Sequence, residues 1–373
     1  MSNVIALGPS TALVAPAPPG GQGRLRIDAN DRALIWFGLR KIALTWLTLG
    51  IYHFWGRAEA RRRIYGAIEI EGYRPVWTGT GARTFRNFLI AVAVASPGLW
   101  VLLGYLPTGL AGLEFRLPSD FIVRRIYVGM PLIFLLGSAV YRRRSHQFRN
   151  TWIGFDNLRM TGGAWSYAWT HFWTSLAVPF TLGWAVPWRT EKLAARITSE
   201  QAFAGHAFSY SPDWRLLVRP FACVWGATLV IYAGMMLALA TVAGPQLVQA
   251  AQTRSLGPLV ASEAWPVALA IVVLAMVQFH LIAKGWMAIT LRHQAARTRI
   301  AGARFALELP IAGYAGMAAS NVMLRIISLG VLTPWCEVRH WRYLIRHLEV
   351  YGPLPRPTLR NPASSNPVPI NPA

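Results

Sequence analysis

The chain contains 373 residues, of which 54% are hydrophobic and only 14% are charged, and it includes 17 tryptophans. That composition is too apolar for an ordinary soluble enzyme of this length, so we expect an integral membrane protein. The formal net charge of +22 would suit a nucleic-acid partner. The basic residues, however, flank apolar segments and form no separate soluble domain, so we expect no nucleic-acid binding.

The N-terminal segment, residues 1–23, carries Pro and Gly but lacks a basic start followed by an apolar core. We therefore expect a disordered tail there and not a cleaved signal peptide. The two cysteines, Cys223 and Cys336, fit neither a disulfide framework nor a paired metal motif. We expect both to be inert thiols, and we expect no cofactor.

A pattern of eight residues recurs three times and organises the rest of the chain. Its first copy is Thr-Leu-Gly-Ile-Tyr-His-Phe-Trp at 48–55, and the other copies occupy 181–188 and 328–335. We predict a helix that stops at the Gly, where φ is positive, and a second, basic helix that starts near the Trp. The three turn glycines are Gly50, Gly183 and Gly330.

Each copy belongs to a longer repeat unit with a short strand, an apolar helix, the Gly turn, a basic helix and a return hairpin. The units occupy 24–87, 142–220 and 284–352, and the first return hairpin is predicted over 67–79. The apolar helices lie near 31–47, 164–182 and 311–329. Two membrane hairpins, 88–141 and 221–283, separate the units, because their apolar segments are long enough to cross a bilayer. A disordered Pro-rich tail is predicted over 353–373.

The predicted fold is an all-helical integral membrane protein with internal repeats and small cytosol-side β elements. It has four transmembrane helices, while the three apolar helices of the units re-enter the membrane or lie at its interface. The alternative has seven transmembrane helices and the inverted repeats found in transporters. Charge favours four crossings, because seven would place the basic segments 189–219 and 284–304 outside, against the positive-inside rule. Both termini are then cytoplasmic.

A second motif follows each membrane hairpin: Ser145-His146-Gln147 with Thr151, and Arg292-His293-Gln294 with Thr298. Together with Leu-Arg-His-Gln-Ala at 291–295 and Thr-Leu-Gly-Ile-Tyr at 48–52, this motif makes the chain similar to the YjgN-like family of bacterial inner-membrane proteins over residues 24–352. The resemblance implies a multi-pass protein of the inner membrane without an agreed activity, cofactor or substrate.

The basic helices are the candidate lipid-contact elements, because Trp suits headgroup depth and Arg suits lipid phosphate. The candidates are Trp55, Arg57, Arg61, Trp188, Arg189, Trp335, Arg339, Arg342 and Arg346. Membrane lipids, anionic ones in particular, are the expected partners, and the oligomeric state stays open. The alternative is that these arginines only fix the topology.

A candidate polar network comprises His146, Gln147, His293 and Gln294. Each His stands alone, with no second His or carboxylate at metal-ligand spacing, so a hydrogen-bonding role is favoured over a metal ligand or proton relay. Catalytic signatures are absent from the sequence, so we expect no enzyme. The leading hypothesis is a membrane protein that organises or senses the bilayer through its basic helices. The alternative is a transporter or channel for small solutes or lipids, and an enzyme acting on lipid comes third.

Overall fold

The computed structural model describes residues 25–102, 121–154, 156–253 and 257–357. Helices dominate these residues, which confirms the helical prediction in its coarse form. The tail predicted over 1–23 lies outside the described residues, as does most of the one predicted over 353–373. Of the second tail the structure describes 353–357, where the side chain of Pro357 is buried.

The first unit contains β1 (Leu25–Ile27), α1 (Asp31–Leu47), α2 (His53–Ala67) and β2 (Ile68–Ile70). Asn30 caps α1, because its side chain accepts a hydrogen bond of 3.2 Å from the Ala33 N–H. The chain continues through β3 (Val76–Trp77), α3 (Gly81–Leu102), α4 (Phe121–Arg149), β4 (Thr151–Ile153) and β5 (Asp156–Asn157).

The second unit contains β6 (Arg159–Met160), α5 (Ala164–Phe180), α6 (Val186–Ser199), β7 (Gln201–Phe203) and β8 (His206–Tyr210). The long helices α7 (Arg215–Thr253) and α9 (Trp265–Arg297) follow, with the short helix α8 (Gly257–Val260) between them. The last elements are β9 (Thr298–Ile300), β10 (Ala303–Leu307), α10 (Ile311–Ile327), α11 (Thr333–Arg346) and β11 (Leu348–Tyr351). Each unit therefore pairs an outgoing helix of 17 residues with a returning helix of 14 or 15 residues.

Two consecutive residues with positive φ end the first helix of each unit. In the first unit Leu49 has a φ of 49° and Gly50 has a φ of 93°. The Gly50 N–H donates to the Thr45 carbonyl at 2.7 Å and the Leu49 N–H donates to the Trp46 carbonyl, which are the two bonds of a Schellman motif. The same bonds and signs of φ recur at Leu182-Gly183 and Leu329-Gly330. The positive φ predicted for the three glycines is confirmed, but Leu, and not Gly, is the first left-handed residue after each helix.

A hydroxyl residue connects the two helices of each pair. Thr48 Oγ1 donates to the Leu44 carbonyl at 2.7 Å and accepts from the Tyr52 N–H at 2.9 Å. Thr181 and Ser328 accept from the corresponding N–H groups at 2.9 and 3.1 Å. The hydroxyl thus satisfies a backbone donor at the start of the second helix, which explains why Thr or Ser precedes Leu-Gly in all three copies.

The strands join the helix ends that lie opposite the Gly turns. The largest sheet has the order β11-β10-β9-β8-β7-β6, so it joins the second and third units. The return hairpin predicted over 67–79 is only partly formed, because Ile70 bridges Tyr73 while β2 pairs with β1 and β3 pairs with β4. Pro75 precedes β3 and has no N–H to extend the ladder across the turn.

Two helices in the described residues, α7 and α9, are long and apolar enough to cross a bilayer. α7 is kinked at Ala243, where φ is −134° and ψ is 19°, just before Pro245. The other two predicted spans, α3 and α4, are 22 and 29 residues long, but among the described residues only α7 and α9 meet both conditions of length and apolarity. Two candidate spans, and not the four that we predicted, therefore support a membrane protein.

The first and third units pack against each other, although most of the chain separates them. At Gly38 of α1 an added Cβ would lie 2.0 Å from the Val331 carbonyl oxygen, so only Gly permits this approach. Leu34 and Ile64 of the first unit share a buried cluster with Val338 of α11. This contact positions α1, α2 and α11 around one cavity.

Candidate functional site

Each helix pair ends in an exposed apolar tip at its Gly turn. The three left-handed leucines, Leu49, Leu182 and Leu329, are 94%, 76% and 83% exposed. Their neighbours Phe180 and Ile327 are exposed as well. A left-handed conformation costs an L-residue about 1–2 kcal/mol. All three units therefore present a strained and exposed Leu at the tip of the helix pair.

The tryptophans of the repeated pattern lie beside cations and aromatic rings. Trp55 is half exposed, and its ring centroid lies 5.9 Å from that of Phe85 in α3. Lys192 Nζ lies 4.9 Å from the Trp188 ring centroid. The Arg339 guanidinium lies 5.7 Å from the Trp335 ring centroid. These cation–π contacts hold two of the basic side chains over Trp rings and are worth about 0.5–1 kcal/mol each at exposed sites.

Several candidate lipid-contact arginines bond to other helices of the protein. Arg189 Nε donates to Ser175 Oγ at 3.1 Å and so links α6 to α5. Arg339 donates to Ser320 Oγ and Asn321 Oδ1, both at 2.9 Å, and links α11 to α10. These bonds hold the returning helix against the outgoing one, a role that the sequence pattern did not predict.

The remaining arginines of α11 differ in their surroundings. Arg342 pairs with the Asp31 carboxylate at 2.9 Å and donates to the Ala29 carbonyl at 2.8 Å. It therefore ties the third unit to the start of α1. Arg346 is exposed at the end of α11. Of the candidates on this helix, Arg346 is the one most available to a partner.

Arg57 and Arg61 line a cavity of about 160 Å³ between the first and third units. Lys41 of α1 and Arg143 of α4 contribute two further cations, and Glu337 of α11 contributes a carboxylate. Ala60, Thr333 and Pro334 complete the lining. Four cations against one carboxylate give the described lining a formal charge of +3, which suits an anionic ligand.

Local sequence explains how these cations meet. Arg57 and Arg61 are four residues apart in α2 and so share one face of the helix. Gly56 leaves room for Lys41, because an added Cβ there would lie 2.7 Å from Lys41 Cγ. Pro334 lies in the first turn of α11, where its missing N–H costs nothing. The first turn of α11 thus faces the cations.

The cavity alters the ionisation of its basic side chains. Burial lowers the pKa of Lys41 below its usual value, and Arg57 lowers it further while Glu337 opposes the shift. Burial also lowers the pKa of Arg61, again with a contribution from Arg57. Shifts of this sign mark cations that are crowded together and partly removed from water.

The sequence predicts one candidate surface for Arg57 and Arg61 but does not reveal their three charged neighbours Lys41, Arg143 and Glu337. Lys41 was visible as a cation inside an apolar helix, and Arg143 as the centre of a basic triplet. Glu337 was visible as an acid inside a basic helix. No local pattern connects these positions, because α1, α4 and α11 meet only in the folded chain.

A second charged cluster surrounds Glu191 of α6, whose side chain is 1% exposed. The Tyr210 hydroxyl lies 2.9 Å from both carboxylate oxygens and the Asp213 N–H donates to one of them at 3.2 Å. His293 Nε2 lies 3.3 Å from the same carboxylate. Burial and the Glu191 carboxylate raise the pKa of Tyr210 above its usual value, so the phenol stays protonated and donates.

The residues of the predicted polar network lie at two different sites. His293 joins the Glu191 cluster, whereas the His146 ring lies 6.1 Å from the Trp77 ring. The glutamines act through their backbone, because the Gln147 and Gln294 carbonyls accept from Thr151 and Thr298 Oγ1 at 2.8 and 2.7 Å. These bonds cap the C-termini of α4 and α9 and explain the Gln-to-Thr spacing. Within the described residues no group of three or more His, Cys, Asp and Glu side chains could hold a metal ion.

Comparison with known proteins gives one match. The family described as a bacterial protein of unknown function (DUF898) matches residues 30–360. No curated protein and no solved structure matches the chain.

Proposed function

Because the chain belongs to this bacterial family, which is the YjgN-like family identified from the sequence and has no known function, we propose a function from the geometry. We propose that it is a multi-pass protein of the bacterial inner membrane that senses or organises an anionic bilayer surface and performs no catalysis. Three helix pairs enter the membrane from the cytoplasmic side with their tips first, and their basic ends remain at the headgroups.

The observation that carries this proposal is the polarity of the helix pairs. Each pair leaves the strands, exposes an apolar tip at Leu49, Leu182 or Leu329, and returns to the strands. An outgoing helix of 17 residues spans about 25 Å, which is less than a hydrocarbon core of about 30 Å. We therefore infer re-entry and not crossing, with the four crossings supplied by α3, α4, α7 and α9.

The distribution of cations supports the orientation. Arginines lie where the long helices meet the strands: Arg142 to Arg144 near the end of α4, Arg215 and Arg219 at the start of α7, and Arg292 and Arg297 near the end of α9. Under the positive-inside rule these ends face the cytoplasm. Each cation near an anionic cytoplasmic surface contributes about 1 kcal/mol of attraction, so the charged ends favour anionic lipids.

Transport is the second candidate, because α7 is interrupted at Ala243 and broken helices carry the binding sites of many transporters. The side chains of α7 and α9 weigh against it. Between Arg219 in α7 and Lys284 in α9, the described helical residues of these two spans carry no Asp, Glu, Lys or Arg. Ionisable residues are a common mark of an intramembrane solute path, and among Asp, Glu, Lys, Arg and His this stretch of α7 and α9 carries His280 alone.

Single-cysteine labelling tests the proposed topology. In a Cys223→Ala/Cys336→Ala background, Ser199→Cys at the exposed end of α6 should react with a charged maleimide only from the cytoplasmic side. Leu182→Cys at the tip of the same helix pair should react from neither side in intact membranes. Labelling of Ser199→Cys from the periplasm in intact cells would overturn the proposal and favour seven crossings.

Lipid composition tests the proposed partner. After purification in mild detergent, the copurifying phospholipids should be enriched in anionic species relative to the source membrane. Arg346→Gln removes the exposed cation at the end of α11 and should reduce that enrichment. A copurifying lipid mixture identical to the source membrane would count against anionic-lipid sensing.

A further inference from the structure

The described lining of the cavity between the first and third units contains four cations and a single carboxylate, that of Glu337. Lys41, Arg57, Arg61 and Arg143 approach it from α1, α2 and α4. Within the described residues none of the four makes an ion pair, although Arg61 stacks over the Trp77 ring at 5.2 Å. Bringing like charges together costs free energy that a bound anion offsets.

The first turn of α11 adds a second attraction for an anion. Thr333 and Pro334 line the cavity at the N-terminus of this 14-residue helix. A helix N-terminus carries the positive end of the helix dipole, equivalent to about half an elementary charge. The dipole and the four cations therefore act on the same space.

The size of the cavity suits a small ligand. Its volume of about 160 Å³ has room for one tetrahedral anion with its hydrogen-bonding partners. Arginine is well matched to such an anion, because its planar fork donates two parallel hydrogen bonds to phosphate oxygens.

We propose that this cavity binds a single phosphate group, carried by an anionic lipid headgroup or by a soluble phosphate ester. This inference rests on the proposed function, because it names an anionic group that the cations of the helix pairs recognise. Arg57, Arg61 and Arg143 donate to the phosphate oxygens and Lys41 supplies a further charge. The same site joins the two end units of the chain, so an occupied cavity holds α11 against α2.

Substitution of Glu337 distinguishes phosphate binding in the cavity from a purely structural role of this residue. Its carboxylate lines the cavity and repels an incoming anion, so Glu337→Gln should tighten phosphate binding. If Glu337 only stabilised the unit interface, the same change would lower the stability of the protein without tightening phosphate binding. The two roles therefore predict different binding results for one substitution.

The experiment uses the full chain purified in a zwitterionic detergent, with inorganic phosphate titrated by calorimetry. A second arm compares thermal unfolding in phosphatidylcholine nanodiscs with and without phosphatidylglycerol, because a ligand that binds the folded state raises its stability. Arg143→Gln should weaken binding about tenfold, which is typical for loss of one charge-assisted hydrogen bond. Arg142→Gln, at the neighbouring position outside the cavity lining, is the matched control and should change it less than twofold. Glu337→Gln should tighten binding by a comparable factor.

The two arms distinguish the sources of phosphate. A cavity-dependent response to phosphatidylglycerol alone identifies a lipid headgroup, and a response to inorganic phosphate identifies a soluble anion. The proposal is overturned if neither probe binds, if Arg142→Gln and Arg143→Gln behave alike, or if Glu337→Gln weakens binding. Misfolding of Arg143→Gln leaves the Glu337→Gln arm decisive, since a damaged fold does not gain affinity. If the cavity does not bind phosphate, the cysteine-labelling pattern that tests the topology is unaffected. If the proposed topology is wrong, the labelling pattern shows it, whatever the cavity binds.

Discussion

Removal of the buried Glu191 carboxylate should destabilise the protein strongly. Glu191→Ala leaves the Tyr210 hydroxyl and the Asp213 N–H without their acceptor, in a position where the Glu191 side chain is 1% exposed. An unsatisfied buried donor costs about 1–3 kcal/mol, so two donors cost about 2–6 kcal/mol. The substitution also removes the carboxylate that lies 3.3 Å from His293 Nε2. We expect a decrease of about 3–5 kcal/mol in the free energy of unfolding, which is the range found when a buried charged network loses one member.

The assay is equilibrium unfolding in dodecyl maltoside micelles with increasing sodium dodecyl sulfate, followed by circular dichroism. Glu191→Gln retains an acceptor oxygen and should cost about 1–2 kcal/mol. Glu59→Ala is the matched control, because Glu59 pairs with Arg63 at 2.7 Å on an accessible surface of another returning helix. Exposed pairs of this kind contribute about 0–1 kcal/mol.

A double-mutant cycle isolates the hydrogen bond. If Tyr210 donates to Glu191 in the folded state, Tyr210→Phe should cost less in the Glu191→Ala background than in the natural protein. The difference should be about 1–2 kcal/mol, the coupling expected for a charge-assisted hydrogen bond. Equal costs of Glu191→Ala and Glu59→Ala, together with zero coupling to Tyr210, would refute the assignment of Glu191 as the buried centre of this cluster.

Three further predictions concern single side chains. The pKa of Tyr210 is raised in the folded state, so the stability that this residue contributes is fully present below pH 10. It falls as the pH rises above 10, because the phenol ionises first in the unfolded chain. Tyr210→Phe should remove this alkaline loss of stability when unfolding is measured over a pH series. Leu329→Gly should stabilise the detergent-solubilised protein by up to about 1 kcal/mol, because it relieves left-handed backbone strain where the side chain is 83% exposed. A lower stability of the variant would contradict this account of the strain. Arg342→Gln should cost about 1 kcal/mol by breaking the half-exposed pair with Asp31. An Asp31→Asn background should reduce this cost to that of the remaining bond from Arg342 to the Ala29 carbonyl.

The sequence by itself determined the elements that depend on local chemistry. The apolar helices were predicted near 31–47, 164–182 and 311–329, and α1, α5 and α10 occupy those segments to within two residues. The helix-stopping role of Gly50 was also readable, because a positive φ favours glycine wherever it occurs. In such cases the hydrogen bonds that define the element join residues a few positions apart, so the signal lies within one short segment.

The local sequence pattern does not show which residue of each Leu-Gly pair is the first left-handed residue after the helix. The sequence predicts that the helix stops at the Gly with a positive φ, but it does not show that Leu49 is left-handed too and precedes Gly50. Either order satisfies the sequence rule that a helix ends near Gly. In the folded turn the Leu49 N–H donates to the Trp46 carbonyl and the Gly50 N–H donates to the Thr45 carbonyl, so both residues are left-handed and the Leu49 side chain is exposed.

Tertiary structure alone decided the pairings between distant segments. β3 leaves its predicted hairpin to pair with β4, and β8 pairs with β9 of the next unit, because strand pairing depends on which edges the packed helices bring together. The basic cavity has the same origin: Lys41, Arg143 and Glu337 become neighbours only when α11 packs against α1 at Gly38. Glu191 and His293, about a hundred positions apart, likewise meet only where α6 contacts α9. The charge and periodicity of the sequence determine which side chains each helix exposes. The contacts between helices determine which of the charged side chains lie together in the cavity.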